Sequence, residues 1–290
     1  LLSIPLRLMG FNCIFSTVTG MGRNFDISDK KLSRKQKVIL FILKISFLAN
    51  RKIQVQNTYD KEFLIYHNVV QAKKIIKVNG SGMSIINRNE DLLDTRLASD
   101  MNLDNKLKEL YNLKSNKRII LYASRGLKEK GLFHFADASK IVSEINSDFQ
   151  FVHVGGYPEF MAKDEYEKFA NEHNYLALGY IKEIELLFRI SDVVVLPSIY
   201  REGIPKSLIE AVYYNKIIIT NDIPGCDETV IDGANGWLCK AGNTNDFVSK
   251  ILKINQLDVA LVKKTNDFLI NKFDVEQLYE QNKLMYNDKL

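Results

Sequence analysis

From Arg118 onward the chain alternates short apolar runs with amphipathic stretches. Arg118–Ser124, Phe149–Val154, Tyr175–Gly179, Val193–Pro197, Ile217–Asn221 and Gly236–Cys239 read as strands. Between and after them, Lys130–Ile145, Lys163–Glu172, Ile184–Ile190, Ser207–Tyr214, Asp227–Ile231 and Asp246–Ile254 read as helices. Strands that are continuously apolar belong to a parallel sheet covered on both faces. Six of them joined by helical crossovers predict a doubly wound domain. The N-terminal part repeats the pattern with fewer elements. Cys13–Thr19, Ile53–Asn57 and Lys74–Val78 are expected strands, and Leu32–Leu48 and Thr58–His67 are expected helices. So few strands predict an incomplete first domain, with two or three βα units expected before Leu1. The polar stretch 87–116 is expected to connect the two domains, and Asp274–Asn287 to form a separate amphipathic helix.

Composition changes this picture little. The chain has 290 residues, of which 46% are hydrophobic and 26% charged, values that exclude collagen, a disordered tail and a multispan membrane protein. The longest apolar run, Val38–Leu48, is interrupted by Lys44 and Ser46 and is too short to span a bilayer. Charge is uneven, with ten Lys/Arg against three acids in residues 1–60, while the rest is slightly acidic. That local excess suits a phosphate, an anionic lipid surface or a nucleic acid, and equally a solvated helix face; with no base-stacking or helix-turn-helix pattern, no nucleic-acid partner is expected. Cys13, Cys226 and Cys239 have no C-x-x-C spacing, which points to a reducing compartment and to neither a disulfide framework nor a zinc site.

Two loops carry candidate chemistry. In P-S-I-Y-R-E-G-I-P-K-S-L-I-E-A (197–211) an apolar strand leads through Gly203 and Pro205 into a helix. Pro205 suits the first helical turn, and Gly203 permits close backbone approach to a ligand. Glu202 and Glu210 can line one cleft at different depths, although taken alone an acidic loop residue favouring the helix start and a solvated helix glutamate explain them better. In S-R-G-L-K-E-K-G (124–131) Arg125 and Lys130 can both face the carboxyl edge of the sheet, where two cations and a helix N-terminus suit a diphosphate. No G-x-x-x-x-G-K-[ST], H-E-x-x-H or G-x-S-x-G motif is present.

Together these segments resemble the family 4 retaining glycosyltransferases. The resemblance rests on the E-x7-E pair Glu202 and Glu210, the R-x4-K-G loop (125–131), S-D-V-V-V-L-P-S (191–198) and I-P-G-C-D-E-T-V-I-D-G-A-N-G-W-L (223–238). T-V-T-G-M-G (17–22), V-Q-N (55–57) and G-S-G-M-S (80–84) look like the family's first domain. The resemblance implies an α/β architecture of two Rossmann-like domains, the GT-B fold, with the N-terminal one incomplete. Residues 1–95 would form the acceptor side, 96–272 the nucleotide-sugar domain, and 273–290 a helix returning to the first domain. It further implies transfer of a hexose or N-acetylhexosamine from a UDP-sugar, with no metal. Arg125 and Lys130 would hold the donor diphosphate, Glu210 the ribose, and Glu202 the sugar. Backbone at Gly203 and Ile204 would complete that pocket, with Tyr180 and Ile181 beside the base.

The motif R-E-G-I-P-K-S-L-I-E-A resembles bacterial enzymes of capsule, O-antigen and lipid-linked oligosaccharide assembly, which implies a glycan or polyprenyl-diphosphate-linked acceptor. A cytoplasmic chain is then expected, peripheral on the inner membrane face through Lys30–Leu48. Two departures stand out. The family's first glycine-rich loop and its histidine are expected upstream of Leu1, since His67, His134, His153 and His173 lie in no matching context. Met83-Ser84 stands where the family usually has a hydrophobic residue and Asp. An inactive nucleotide-sugar-binding remnant and a GT-B epimerase or phosphorylase are the alternatives.

Overall fold

The structure is a computed structural model that describes residues 3–22, 25, 32–85 and 101–287. Two parallel sheets organise it. The first has order β1-β2-β3, with β1 at Phe15–Val18, β2 at Lys52–Val55 and β3 at Ile75–Lys77. Helix α1 (Ser3–Leu8) precedes it, α2 (Arg34–Leu48) joins β1 to β2, and α3 (Thr58–Tyr66) joins β2 to β3. The start of α2 follows from its sequence. The Ser33 hydroxyl accepts from the Gln36 amide, and the Gln36 side chain accepts from the Ser33 amide, a reciprocal cap. Inward-facing Leu40 and Phe47 pack on Ile53, Val55, Leu64 and Ile75.

The second sheet has six strands in the order β6-β5-β4-β7-β8-β9. They are β4 Arg118–Ala123, β5 Phe149–Val154, β6 Tyr175–Ala177, β7 Val193–Leu196, β8 Ile217–Asn221 and β9 Gly236–Cys239. The central strands are buried almost throughout, so their apolar runs report two covered faces. The covering helices are α4 (Met101–Leu110), α5 (Leu132–Ile145), α6 (Lys163–Glu172), α7 (Glu185–Ile190), α8 (Lys206–Tyr213), α9 (Thr244–Leu252) and α10 (Val259–Ile270). His153, a packed strand residue, accepts from the Tyr166 hydroxyl at Nδ1 and donates from Nε2 to the Ser124 carbonyl. Burial pushes its pKa down to about 4.

The structure adds elements to the sequence reading. Helices α1, α4 and α10 were not expected, and α4 falls in the stretch read as a connection, whose residues 87–100 lie outside the described residues. Helix α5 begins at Leu132 rather than Lys130, because Gly131 enters it with φ +82°. A Cβ there would sit 1.9 Å from the Pro197 carbonyl oxygen. Pro205 caps α8 rather than opening its first turn. A last helix, α11 (Val275–Asn287), returns to the first sheet. The Met83 amide donates to the Phe273 carbonyl at 2.8 Å, and the Val275 amide to the Met83 carbonyl at 3.1 Å. Further along α11, Gln54 Nε2 donates to Asn282 Oδ1 at 2.8 Å.

Candidate active site

The carboxyl ends of β4, β7 and β8 open on one edge of the second sheet, so the loops that follow them converge there. Two of these loops are tied backbone to backbone: the Ile199 amide donates to the Glu129 carbonyl at 3.0 Å. The tie brings Lys130 and Glu202, 72 residues apart, into an ion pair of 2.6 Å. The Ser198 hydroxyl donates to the same Glu202 oxygen at 2.9 Å. The Lys130 ammonium also lies 5.5 Å from the centre of the Tyr200 ring. Burial works against the Lys130 charge, but the Glu202 carboxylate, by charge and by hydrogen bond, more than offsets it and raises the pKa.

Arg125 is exposed at the edge of this cluster. Its charge reaches the Tyr200 phenol, whose pKa is raised by burial and by Glu202 and drawn down by Lys130 and Arg125. The charges of both cations expected from the sequence therefore act on one tyrosine. Glu210 is separate. It is buried inside α8, with Lys206 Nζ 3.6 Å away, and shares no hydrogen-bond partner with Glu202 among the described residues. Burial pushes its pKa up to about 7, against the pull of Lys206 and with a further push from Glu185.

The close approach that Gly203 permits includes one to the first unit. A Cβ there would lie 2.1 Å from the Thr19 carbonyl oxygen and 2.1 Å from Gln56 Oε1. On the other side, a Cβ on Gly225 (φ +90°) would lie 1.5 Å from the Gly203 carbonyl oxygen. Ile204 is buried and faces Gly80, where an added Cβ would approach Ile204 Cβ to 3.1 Å. Tyr180 projects into solvent, 78% exposed, and Ile181 packs against the core of the second unit.

Sequence reasoning missed the residues that join the two units. Asn57 caps α3 by accepting from the Asp60 amide, while its Nδ2 donates to the Glu202 carbonyl at 2.9 Å. Glu228 accepts from the Thr58 amide at 2.8 Å and pairs with Lys77 at 2.6 Å. A 320 Å³ cleft opens beside these contacts, lined by Thr58, Tyr59, Pro224, Asp227 and Lys272 among others. The N-x-x-D spacing of 57–60 was a readable cap signal, but its partners lie some 145 to 170 residues away. Among the described residues, no group of three His, Cys, Asp or Glu is placed to hold a metal ion. Cys13, Cys226 and Cys239 are all free thiols.

Comparison with known proteins places this edge in context. The chain is 26% identical over 292 aligned positions to the Escherichia coli UDP-Gal:alpha-D-GlcNAc-diphosphoundecaprenol alpha-1,3-galactosyltransferase, covering 98% of this chain and 71% of that protein. It is 28% identical over 241 positions to the Campylobacter jejuni N,N'-diacetylbacillosaminyl-diphospho-undecaprenol alpha-1,3-N-acetylgalactosaminyltransferase, covering 82% of this chain and 60% of that protein. Among solved structures, Anabaena HepE in complex with UDP superposes with a TM-score of 0.76 at 15% identity, covering 99% of this chain and 75% of that one. The fold is thus the GT-B arrangement of two Rossmann-like units. Residues 104–272, more than half of the sequence and the whole of the second sheet, match the family described as glycosyl transferases group 1, and the chain belongs to that family.

Proposed function

We propose that this chain is a retaining glycosyltransferase that moves a hexose or N-acetylhexosamine from a UDP-sugar to a polyprenyl-diphosphate-linked or other glycan acceptor in bacterial surface polysaccharide synthesis. The observation that carries this reading is the Lys130–Glu202–Ser198 cluster, with Arg125 beside it, at the carboxyl edge of the second sheet. The E. coli relative's name specifies a UDP-sugar donor and a diphosphoundecaprenol-linked acceptor, and the Campylobacter relative's name a diphospho-undecaprenol acceptor.

In this reading the donor's anomeric C–O bond breaks, and the electron pair leaves with the UDP diphosphate. Arg125 and Lys130 stabilise that charge in a half-buried site, where fixed cations act more strongly than in water. The acceptor hydroxyl oxygen forms the new bond to the anomeric carbon on the face the diphosphate leaves, which retains configuration, and its proton passes to the departing diphosphate oxygen. Ser198 and Lys130 hold the Glu202 carboxylate in one rotamer for a sugar hydroxyl. Glu210 accepts from the ribose, Gly203 and Ile204 shape the floor of the pocket, and Tyr180 with Ile181 flanks the base. No metal enters this scheme.

The acceptor side draws on the first unit. Helix α2 exposes Val38, Phe41, Ile42, Ile45 and Leu48, with Arg34, Lys35, Lys37 and Lys44 also at the surface and no acidic residue in the helix. Such a face suits peripheral contact with an anionic leaflet on the cytoplasmic side. Lys30 and Lys31 of the expected Lys30–Leu48 segment lie outside the described residues. No described helix is long and apolar enough to cross a membrane.

Calorimetric titration with UDP tests the donor site. Lys130→Ala and Glu210→Gln are each expected to weaken binding about 10- to 100-fold, the range of a lost charge-assisted hydrogen bond. Unchanged affinity in both variants would overturn the assignment. Product analysis with and without acceptor separates a transferase from a binding remnant or an epimerase.

A further inference from the structure

Arg201 carries a charge that is almost wholly buried, only 3% exposed, at the junction of the two units. Its guanidinium carbon lies 4.3 Å from the centre of the Tyr59 ring and 4.7 Å from that of Phe63. Its Nη2 donates to the Tyr59 hydroxyl at 3.0 Å. The buried carboxyl of Asp60 faces the same socket. Burial raises the Asp60 pKa, and the Asn57 amide and the Arg201 charge partly offset that rise. His67, at the far end of the helix, is lowered by burial and then by Arg201. All these groups belong to α3 or its caps, in the first unit, whereas Arg201 comes from the loop after β7 in the second. The next residue in the chain is Glu202. Asn57 Nδ2 donates to the Glu202 carbonyl and to Asp60 Oδ2, each at 2.9 Å, so one socket grips two successive residues of the loop.

We propose that Arg201 is a positioning residue that fastens the donor loop to α3, so that the loop backbone at residues 201 and 202 takes its working place only when the two units are shut. The inference rests on the donor-site reading above and extends it to the control of that site. A planar guanidinium suits the task, because it lies against both neighbouring rings while one of its N–H groups donates to the Tyr59 hydroxyl, and it loses less hydration than an ammonium on burial. The shut state thereby gains a charge-assisted contact that the open state lacks. The diphosphate cations stay where they are, since Arg125 and Lys130 both belong to the second unit.

The test uses the full 290-residue chain and three readouts: hydrogen exchange at 57–66 and 199–203, UDP titration, and kcat against donor KM. Arg201→Met is expected to speed exchange in both segments about tenfold or more. UDP Kd should move by less than about threefold, and kcat should fall at least about thirtyfold with donor KM little changed, the pattern of a group that acts in the reacting state. Arg201→Lys, which keeps the charge but not the planar fork, should recover a small but measurable part of kcat. Tyr59→Phe removes one hydrogen bond and keeps the ring; it should show a smaller change in the same direction and serves if the Met variant does not fold. Unchanged exchange in the variants, or equal loss of kcat in Lys and Met, would overturn the proposal. Wild-type protein that does not bind UDP would instead sink the donor-site reading, and the exchange result would still decide whether the fastening exists.

Discussion

Glu210 gives the most direct check on the cleft. Its carboxyl is buried in α8 and its pKa is pushed up to about 7, against an ordinary value of 4.5. A folded-state pKa above the unfolded one means that the folded chain prefers the protonated form. That stabilisation is complete below pH about 4.5 and is lost as pH rises through about 7. A rise of this size corresponds to roughly 3 kcal/mol, an order-of-magnitude figure at 1.36 kcal/mol per unit. Glu210→Gln mimics the protonated acid and removes the dependence. Urea denaturation at pH 4.5 should therefore give similar stabilities for the two proteins, and at pH 8 the Gln variant should be the more stable.

Ligand binding carries the complementary sign. Ribose hydroxyls that donate to Glu210 favour the carboxylate, so UDP affinity of the wild type should rise about tenfold between pH 6 and 8 relative to the variant. Using the variant as reference cancels the ionisation of UDP itself, which falls near pH 6. Parallel stability profiles, or a UDP affinity ratio that is flat with pH, would refute the argument for a buried carboxyl at the ribose.

Three further outcomes are expected. Lys130→Ala strands the largely buried Glu202 carboxylate with Ser198 as its remaining side-chain donor among the described residues, and should cost about 2–4 kcal/mol in thermal or urea unfolding, whereas adding Glu202→Gln should restore most of the stability and none of the UDP affinity. Gly131→Ala combines a left-handed φ of +82° with a backbone clash at Pro197, so a loss of about 3 kcal/mol or more, read by circular-dichroism melting, is expected. Replacing Lys35, Lys37 and Lys44 with Glu should abolish flotation on anionic vesicles without altering UDP binding, and equal flotation of the variant would remove the membrane reading of α2.

The second sheet was legible because β4, β5, β7 and β8 are buried on both faces, and that condition writes itself as unbroken apolar runs. The Gly203 turn was legible as a place where backbone comes too near for a side chain, but the sequence does not say that Thr19 and Gln56 are among the neighbours. Helix α10 escaped because two of its five buried residues are polar, Thr265 and Asn266 beside Val262, Leu269 and Ile270. Asn266 is inside only because it donates to the Lys216 carbonyl and accepts from Asn235, and hydropathy has no record of such partners. Helix α4 is mostly charged or amidic and read as a connection. The cleft cations were visible as loop residues after strands, but the Asn57, Arg201 and Glu228 contacts join segments far apart in the chain, and pairing of that kind is set by tertiary closure.

The polypeptide passes between its halves at more than one place, and Met83 holds two of these passages side by side, accepting from Val275 and donating to Phe273. If the Asn57, Arg201 and Glu228 contacts part while these two bonds stay, the motion left is a rocking about Met83, with amplitude growing with distance from it, so that atoms near residue 83 scarcely shift while the far lip of the gap travels most.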